Sequence, residues 1–243
     1  MKLRDFKDKH LGEDVVIMGS GPSLNTADMS VLPYCNTIAY NAGFLKTTPT
    51  YYTTADPNFP TFIAARDDAT FVNRPFFICQ QWKNVLPPRS NELVFQKFPY
   101  PPGRFTELIK PEGPLAPRLK NIFDDCTLIE KGVSAIGSGL IEMALPLAFY
   151  MGFERVFLIG VDFTPSNELS KDSHHFYDDP GQFDRFDWKL WNSLGGLWES
   201  KRWIADLWLE SNKAHRIFHL DPDTKLGFQK ASWDEIKKPT VLR

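Results

Sequence analysis

The chain has 243 residues, with 28 Lys+Arg against 30 Asp+Glu and a net charge of −2. Its 42% hydrophobic and 24% charged residues are ordinary globular values that exclude global disorder, and the near-neutral balance gives no electrostatic reason to expect a nucleic-acid binder. The cysteines Cys35, Cys79 and Cys126 form no CxxC pair and no disulfide framework, which points to a reduced, cytoplasmic setting.

The charged opening stretch MKLRDFKDKHLGEDVV does not read as a signal peptide. Val15-Val16-Ile17-Met18 predicts a buried strand running into the loop Gly19-Ser20-Gly21-Pro22-Ser23 and then a helix, with Pro22 in its first turn, where a missing N–H is harmless. Asn36 to Tyr40 and Tyr51 to Ala55 predict two further strands, and Pro75 to Cys79 and Leu93 to Phe95 two more. Eight prolines between Pro87 and Pro117 predict an irregular excursion or lid outside the core. A helix follows Gly137-Ser138-Gly139 to about Tyr150, with Pro146 inside it as a candidate kink. Arg155 to Ile159 is then a buried strand ending at Gly160-Val161-Asp162-Phe163. The apolar stretch from Ile141 to Val161 carries Glu142, Pro146, Glu154 and Arg155, so it reads as helix and strand, not as a membrane span. A polar loop covers Thr164 to Gly181. From Phe183 to Asn212 apolar residues recur at helical spacing, as one helix or two split near Gly195-Gly196, and Ile217 to Leu220 is a last strand. Short strands alternating with helices predict an α/β fold with a mostly parallel sheet.

In such sheets ligands bind outside the carboxyl ends of the strands. Gly19–Ser23, Asp56-Pro57-Asn58 and Asp162–Tyr177 each follow a strand, and Asn41 follows a fourth. The glycine loop suits a phosphate, because glycines allow close backbone approach and a helix start presents N–H groups; its plainer reading is a tight turn without a ligand. It matches neither the dinucleotide fingerprint, which wants glycine where Asn25 stands, nor the P-loop, which wants Gly-Lys. The neighbouring His174 and His175 supply a candidate general base. A metal reading would use Asp172, His174, His175, Asp178 and Asp179, but there is no HxxxH or HxH spacing, so no metal site is assigned. His10, His215 and His219 are scattered and read as structural or surface groups. Asp162 either caps or braces the next loop through backbone N–H groups or contacts a ribose hydroxyl, a magnesium ion or the catalytic His. Trp188, Trp191, Trp198, Trp203 and Trp208 read as core packing rather than a sugar-stacking face, given their helical spacing.

Val15–Leu24 (VVIMGSGPSL), Asn41, Ala55-Asp56-Pro57, Gly137–Phe163 and Ser173–Tyr177 occur in one order. In this the chain resembles a superfamily that joins the small bacterial lipooligosaccharide sialyltransferases to three sets of relatives. These are the motility accessory factor glycosyltransferase-like proteins, the lipopolysaccharide-core Kdo-transferase-like proteins and an archaeal pterin pyrophosphokinase-like group. The resemblance spans about Val15 to Ile236. It implies one Rossmann-like domain over 1–243, with helices on both faces of the sheet, a proline-rich insertion at about 84–118 and a lid-like loop at about 164–182.

For function, the resemblance implies an inverting glycosyltransferase moving a sialic acid or Kdo-like sugar from a CMP donor to a glycan without a metal cofactor. His174 or His175 would be the base, and hydroxyls such as Ser20, Ser23 and Tyr177 would stabilise the leaving nucleoside monophosphate; the tyrosine that helps it in the sialyltransferases is Thr164 here. Gly19, Ser20, Gly21, Pro22, Ser23, Asn41, Asp56, Ser138, Gly139, Asp162 and Thr164 would line the donor. Ser20, Asp56 and Thr164 stand where the sialyltransferases have Asn, Asn and Tyr, and Ser173–Tyr177 looks closer to the Kdo-transferase-like and accessory-factor-like relatives. The alternatives are a Mg²⁺-dependent pyrophosphokinase acting with ATP on a pterin-like alcohol, and a binding homologue without catalysis. The expected partners are a nucleotide sugar and a glycan acceptor, in the cytoplasm, with peripheral contact at the inner membrane and self-association left open.

Overall fold

The computed structural model describes residues 2–54, 75–79, 92–95, 113–132, 143–162 and 197–239. Within them, eight strands form one sheet: β1 (Asp14–Met18), β2 (Asn36–Tyr40), β3 (Tyr51–Thr54), β4 (Phe76–Cys79), β5 (Glu92–Phe95), β6 (Arg155–Ile159), β7 (Ile217–His219) and β8 (Gln229–Lys230). The spatial order is β5-β4-β3-β2-β1-β6-β7-β8, and each adjacent pair is parallel. The chain has an α/β, Rossmann-like fold, as its alternating pattern predicts.

Past their polar first residues, β1 and β6 are continuously apolar because both faces of the sheet are covered. Val15, Ile17, Val156 and Leu158 join one core, whereas Val16, Met18, Phe157 and Ile159 join the other. The first core packs under α1 (Ala116–Asp124), α2 (Leu145–Tyr150) and α3 (Leu197–Glu210). Leu119, Ile122 and Phe123 form the buried stripe of α1 at helical spacing. Trp208 of α3 is fully buried and stacks on Phe123 at 4.2 Å between ring centroids, which makes it a core residue, as its spacing predicts. The second core is closed by shorter 3-10 turns, Pro22–Thr26, Leu32–Tyr34 and Asn41–Leu45, which contribute Leu24, Leu32 and Phe44.

Two expectations are corrected. The helix after the glycine loop is a short 3-10 helix of five residues, Pro22–Thr26. The proline-rich stretch is not wholly outside the core: β5 extends the sheet from within it, Leu115 is buried and α1 begins at Ala116. Pro146 stands near the start of α2, which runs on from π-helical backbone at 143–144; residues 133–142 lie outside the described residues. The amphipathic run is helical over Leu197–Glu210, after Gly195-Gly196; residues 183–196 lie outside the described residues. No helix among the described residues is long and apolar enough to cross a membrane.

Charge ties the amino ends of the strands. Arg155 donates to both oxygens of the fully buried Asp14 carboxylate, at 3.1 and 2.6 Å, and to Glu235 O. The Lys237 N–H adds a bond to the same carboxylate at 2.7 Å. His10, also buried, sits between Glu13 (2.7 Å) and the Tyr51 hydroxyl (2.6 Å) and stacks on Phe153. Cys35 and Cys126 are buried, and desolvation pushes their thiols up to about 11 and about 12.

Arg155→Ala leaves the buried Asp14 charge without its ion partner and should cost about 2–3 kcal/mol, discounted from a fully buried pair because Arg155 is a quarter exposed. Lys237→Ala removes only an exposed contact with Glu154 and should cost less than about 1 kcal/mol. Urea titration of both variants checks the contrast. In a Cys79→Ser background, the native protein should leave a thiol reagent unreacted and the unfolded protein should titrate Cys35 and Cys126.

Candidate functional site

The strand order reverses between β1 and β6. From β1 the sheet grows through β2 to β5 on one side, and through β6 to β8 on the other. Such a switch point leaves a crevice at the carboxyl ends of the two strands. Both are followed by residues singled out in the sequence: Gly19–Ser23 after β1 and Asp162 shortly after β6.

Hydrogen bonds knit the two segments together. Gly19 N–H donates to Ile159 O at 2.8 Å, and Gly21 N–H to Gly160 O at 2.8 Å. Ser23 N–H donates to Asp162 Oδ2 at 2.9 Å, and the Ser23 hydroxyl donates to Asp162 Oδ1. The same hydroxyl accepts the Gly160 N–H at 2.9 Å. One serine therefore fastens both the backbone of the β6 turn and its carboxylate. The approach is close enough to require glycine at two points. A Cβ on Gly21 would overlap Asp162 Oδ2, and Gly160 adopts φ +69° with its would-be Cβ 2.8 Å from Gly19 O.

Asp162 is only partly buried, whereas His219, next to it on β7, is fully buried. Desolvation raises the Asp162 carboxyl above its ordinary range, opposed by the two Ser23 bonds. Burial lowers His219, which stays neutral. Its Nδ1 accepts the Asp221 N–H at 3.1 Å, so the proton resides on Nε2, which donates to Val161 O at 3.3 Å. Asp162 thus braces the glycine loop, through the Ser23 N–H and hydroxyl.

Asn41 lies at the carboxyl end of β2, on the neighbouring strand. It holds φ +49°, a left-handed conformation that Asn tolerates better than most residues. Its Oδ1 accepts the Thr54 hydroxyl of β3 at 2.7 Å. Gly19, Ser20, Gly21, Pro22, Ser23, Asn41 and Asp162 therefore gather at the carboxyl ends of β1, β2 and β6. His174, His175, Tyr177, Asp56, Ser138, Gly139 and Thr164 lie outside the described residues. Thr54, Gly160 and His219 were not predicted as site residues; each stands at or just past a strand end, which is the signal that could have found them. Among the described residues no group of three or more His, Cys, Asp or Glu is placed to hold a metal ion.

Searches of protein-family models, of curated proteins and of solved structures return no match for this chain.

Ser23→Ala strands the buried Gly160 N–H and removes one donor from Asp162; thermal and urea unfolding should show a loss of about 1–3 kcal/mol. Asp162 is raised in the folded state, so it contributes stability while protonated, and that contribution disappears as pH climbs from its ordinary value of 3.8 through the folded one. The stability difference between wild type and Asp162→Asn, followed by urea midpoints from acid to neutral pH, should shift against the wild type across that window.

Proposed function

We propose that the crevice between β1 and β6 takes a nucleotide-activated donor, and that the chain is an inverting glycosyltransferase moving an acidic sugar, sialic-acid-like or Kdo-like, from a CMP donor to a glycan. The observation that carries the nucleotide part is the switch point, where Gly19–Ser23, Asn41 and Asp162 converge. The reaction class comes from the motif resemblance, since one fold hosts many activities. In this reading His174 or His175 deprotonates the acceptor hydroxyl, a contribution of roughly 10²–10⁴ in rate. The leaving nucleoside monophosphate gathers charge, so hydroxyl and N–H donors such as Tyr177, Thr164 and the Ser138-Gly139 backbone would stabilise it. No metal enters this mechanism.

One observation favours a second reading. Asp162, only partly buried, follows β6 at the switch point, and with Asp56, after β3, it would give Mg²⁺ the oxygen ligands that a pyrophosphokinase needs.

A thermal-shift panel with CMP, CTP, UDP, AMP and ATP, each with and without Mg²⁺, separates the two. Saturation at 100 times Kd adds about 2.7 kcal/mol. A metal-independent shift with CMP is the expected result, followed by loss of sugar transfer but not of CMP binding in His174→Ala/His175→Ala. A shift only with ATP and Mg²⁺ replaces this reading with diphosphate transfer, and binding without turnover of any CMP-sugar leaves a binding module.

A further inference from the structure

The glycine loop is built unlike a phosphate cradle. Its Gly19, Gly21, Ser23 and Leu24 N–H groups already donate within the protein, to Ile159 O, Gly160 O, Asp162 Oδ2 and Gly21 O, at 2.8, 2.8, 2.9 and 3.1 Å. Pro22 has no N–H, and the Ser23 hydroxyl is engaged by Asp162. The group that holds both Ser23 donors is itself an anion. A phosphate could reach them only by displacing a carboxylate of its own sign. Asp162, by contrast, is only partly buried, and its carboxylate is suited to a different partner. An ionised carboxylate has about four acceptor positions, and Ser23 fills two of them. What such a group recruits is an O–H donor.

We propose that Gly19–Ser23 and Asp162 form the subsite for the hydroxyl-bearing sugar ring of the nucleoside, and that the phosphate is held elsewhere in the crevice. This rests on the nucleotide reading above. It divides the site by charge: the β1/β6 junction accepts neutral hydroxyl donors, and groups away from Asp162 meet the anion.

The test is calorimetric titration of wild type and Asp162→Asn with cytidine, 2′,3′-dideoxycytidine and CMP, and with the corresponding adenosine compounds. Wild type should bind the dideoxynucleoside about tenfold or more weakly than the ribonucleoside, the worth of hydrogen bonds to a charged acceptor. Asp162→Asn should bind the two nearly alike, and the ratio of nucleotide to nucleoside affinity should be the same in both proteins. The inference is overturned if wild type ignores the ring hydroxyls, or if Asp162→Asn gains about tenfold for the nucleotide over the nucleoside, because the carboxylate would then have been competing with a phosphate. The wild-type comparison decides the question even if the variant fails to fold. If wild type binds none of these compounds, the nucleotide reading itself falls and the subsite with it.

Discussion

The junction of β1 with β6 is the constraint on which the rest of this molecule depends. These strands meet where the sheet order reverses, so the connections that follow them diverge and would leave the crevice open-ended. Ser23 closes it. Its hydroxyl accepts from Gly160 and donates to Asp162, while its own N–H donates to the same carboxylate. Alanine could do only the last of these three. The clasp joins residues 139 positions apart in the chain, so it exists only once the two strands are paired. Loop geometry and tertiary fold form together.

The two ends of this strand pair are tied by unlike means. At the amino end Asp14 and Arg155 are register partners, and their side chains form the ion pair that Lys237 N–H reinforces. At the carboxyl end the only charge in the clasp is Asp162, held by neutral donors. A buried ion pair fixes position but offers nothing to a ligand. A carboxylate held by two hydrogen bonds, on a residue that is only partly buried, is fixed and still has acceptor positions left. That contrast is why the proposed site is put at the carboxyl end.

The sequence was readable wherever burial on both faces forced continuous apolar runs. Val15–Met18 and Arg155–Ile159 became β1 and β6, and the convergence of their following residues was foreseeable because each run stops at glycine. β8 was not foreseeable: Gln229 and Lys230 are exposed polar residues, placed in the sheet by their pairing with β7. The Ser23–Asp162 bond and the Asn41–Thr54 bond escaped for another reason, since each depends on strand order, which local pattern does not carry. His219 looked like a scattered histidine until β7 took its place beside β6 and set Nε2 against Val161 O. At the glycine loop the sequence left a phosphate cradle and a plain tight turn both open; it did not foretell that Gly21 makes room for the Asp162 carboxylate.

The position of Asp162 also bears on where charge could develop in the proposed transfer. Two unit charges 4 Å apart interact with about 4 kcal/mol at an effective dielectric of 20, so a leaving phosphate beside this carboxylate would oppose its own departure. Burial sharpens the conflict, because it already makes ionised Asp162 costly, and a second anion would raise that cost. Transition-state stabilisation asks for the reverse, fixed donors aimed at the developing charge. A nucleotide seated with its sugar ring against Asp162 meets both demands: the ring supplies hydroxyls to the carboxylate, and its length carries the phosphate away from it.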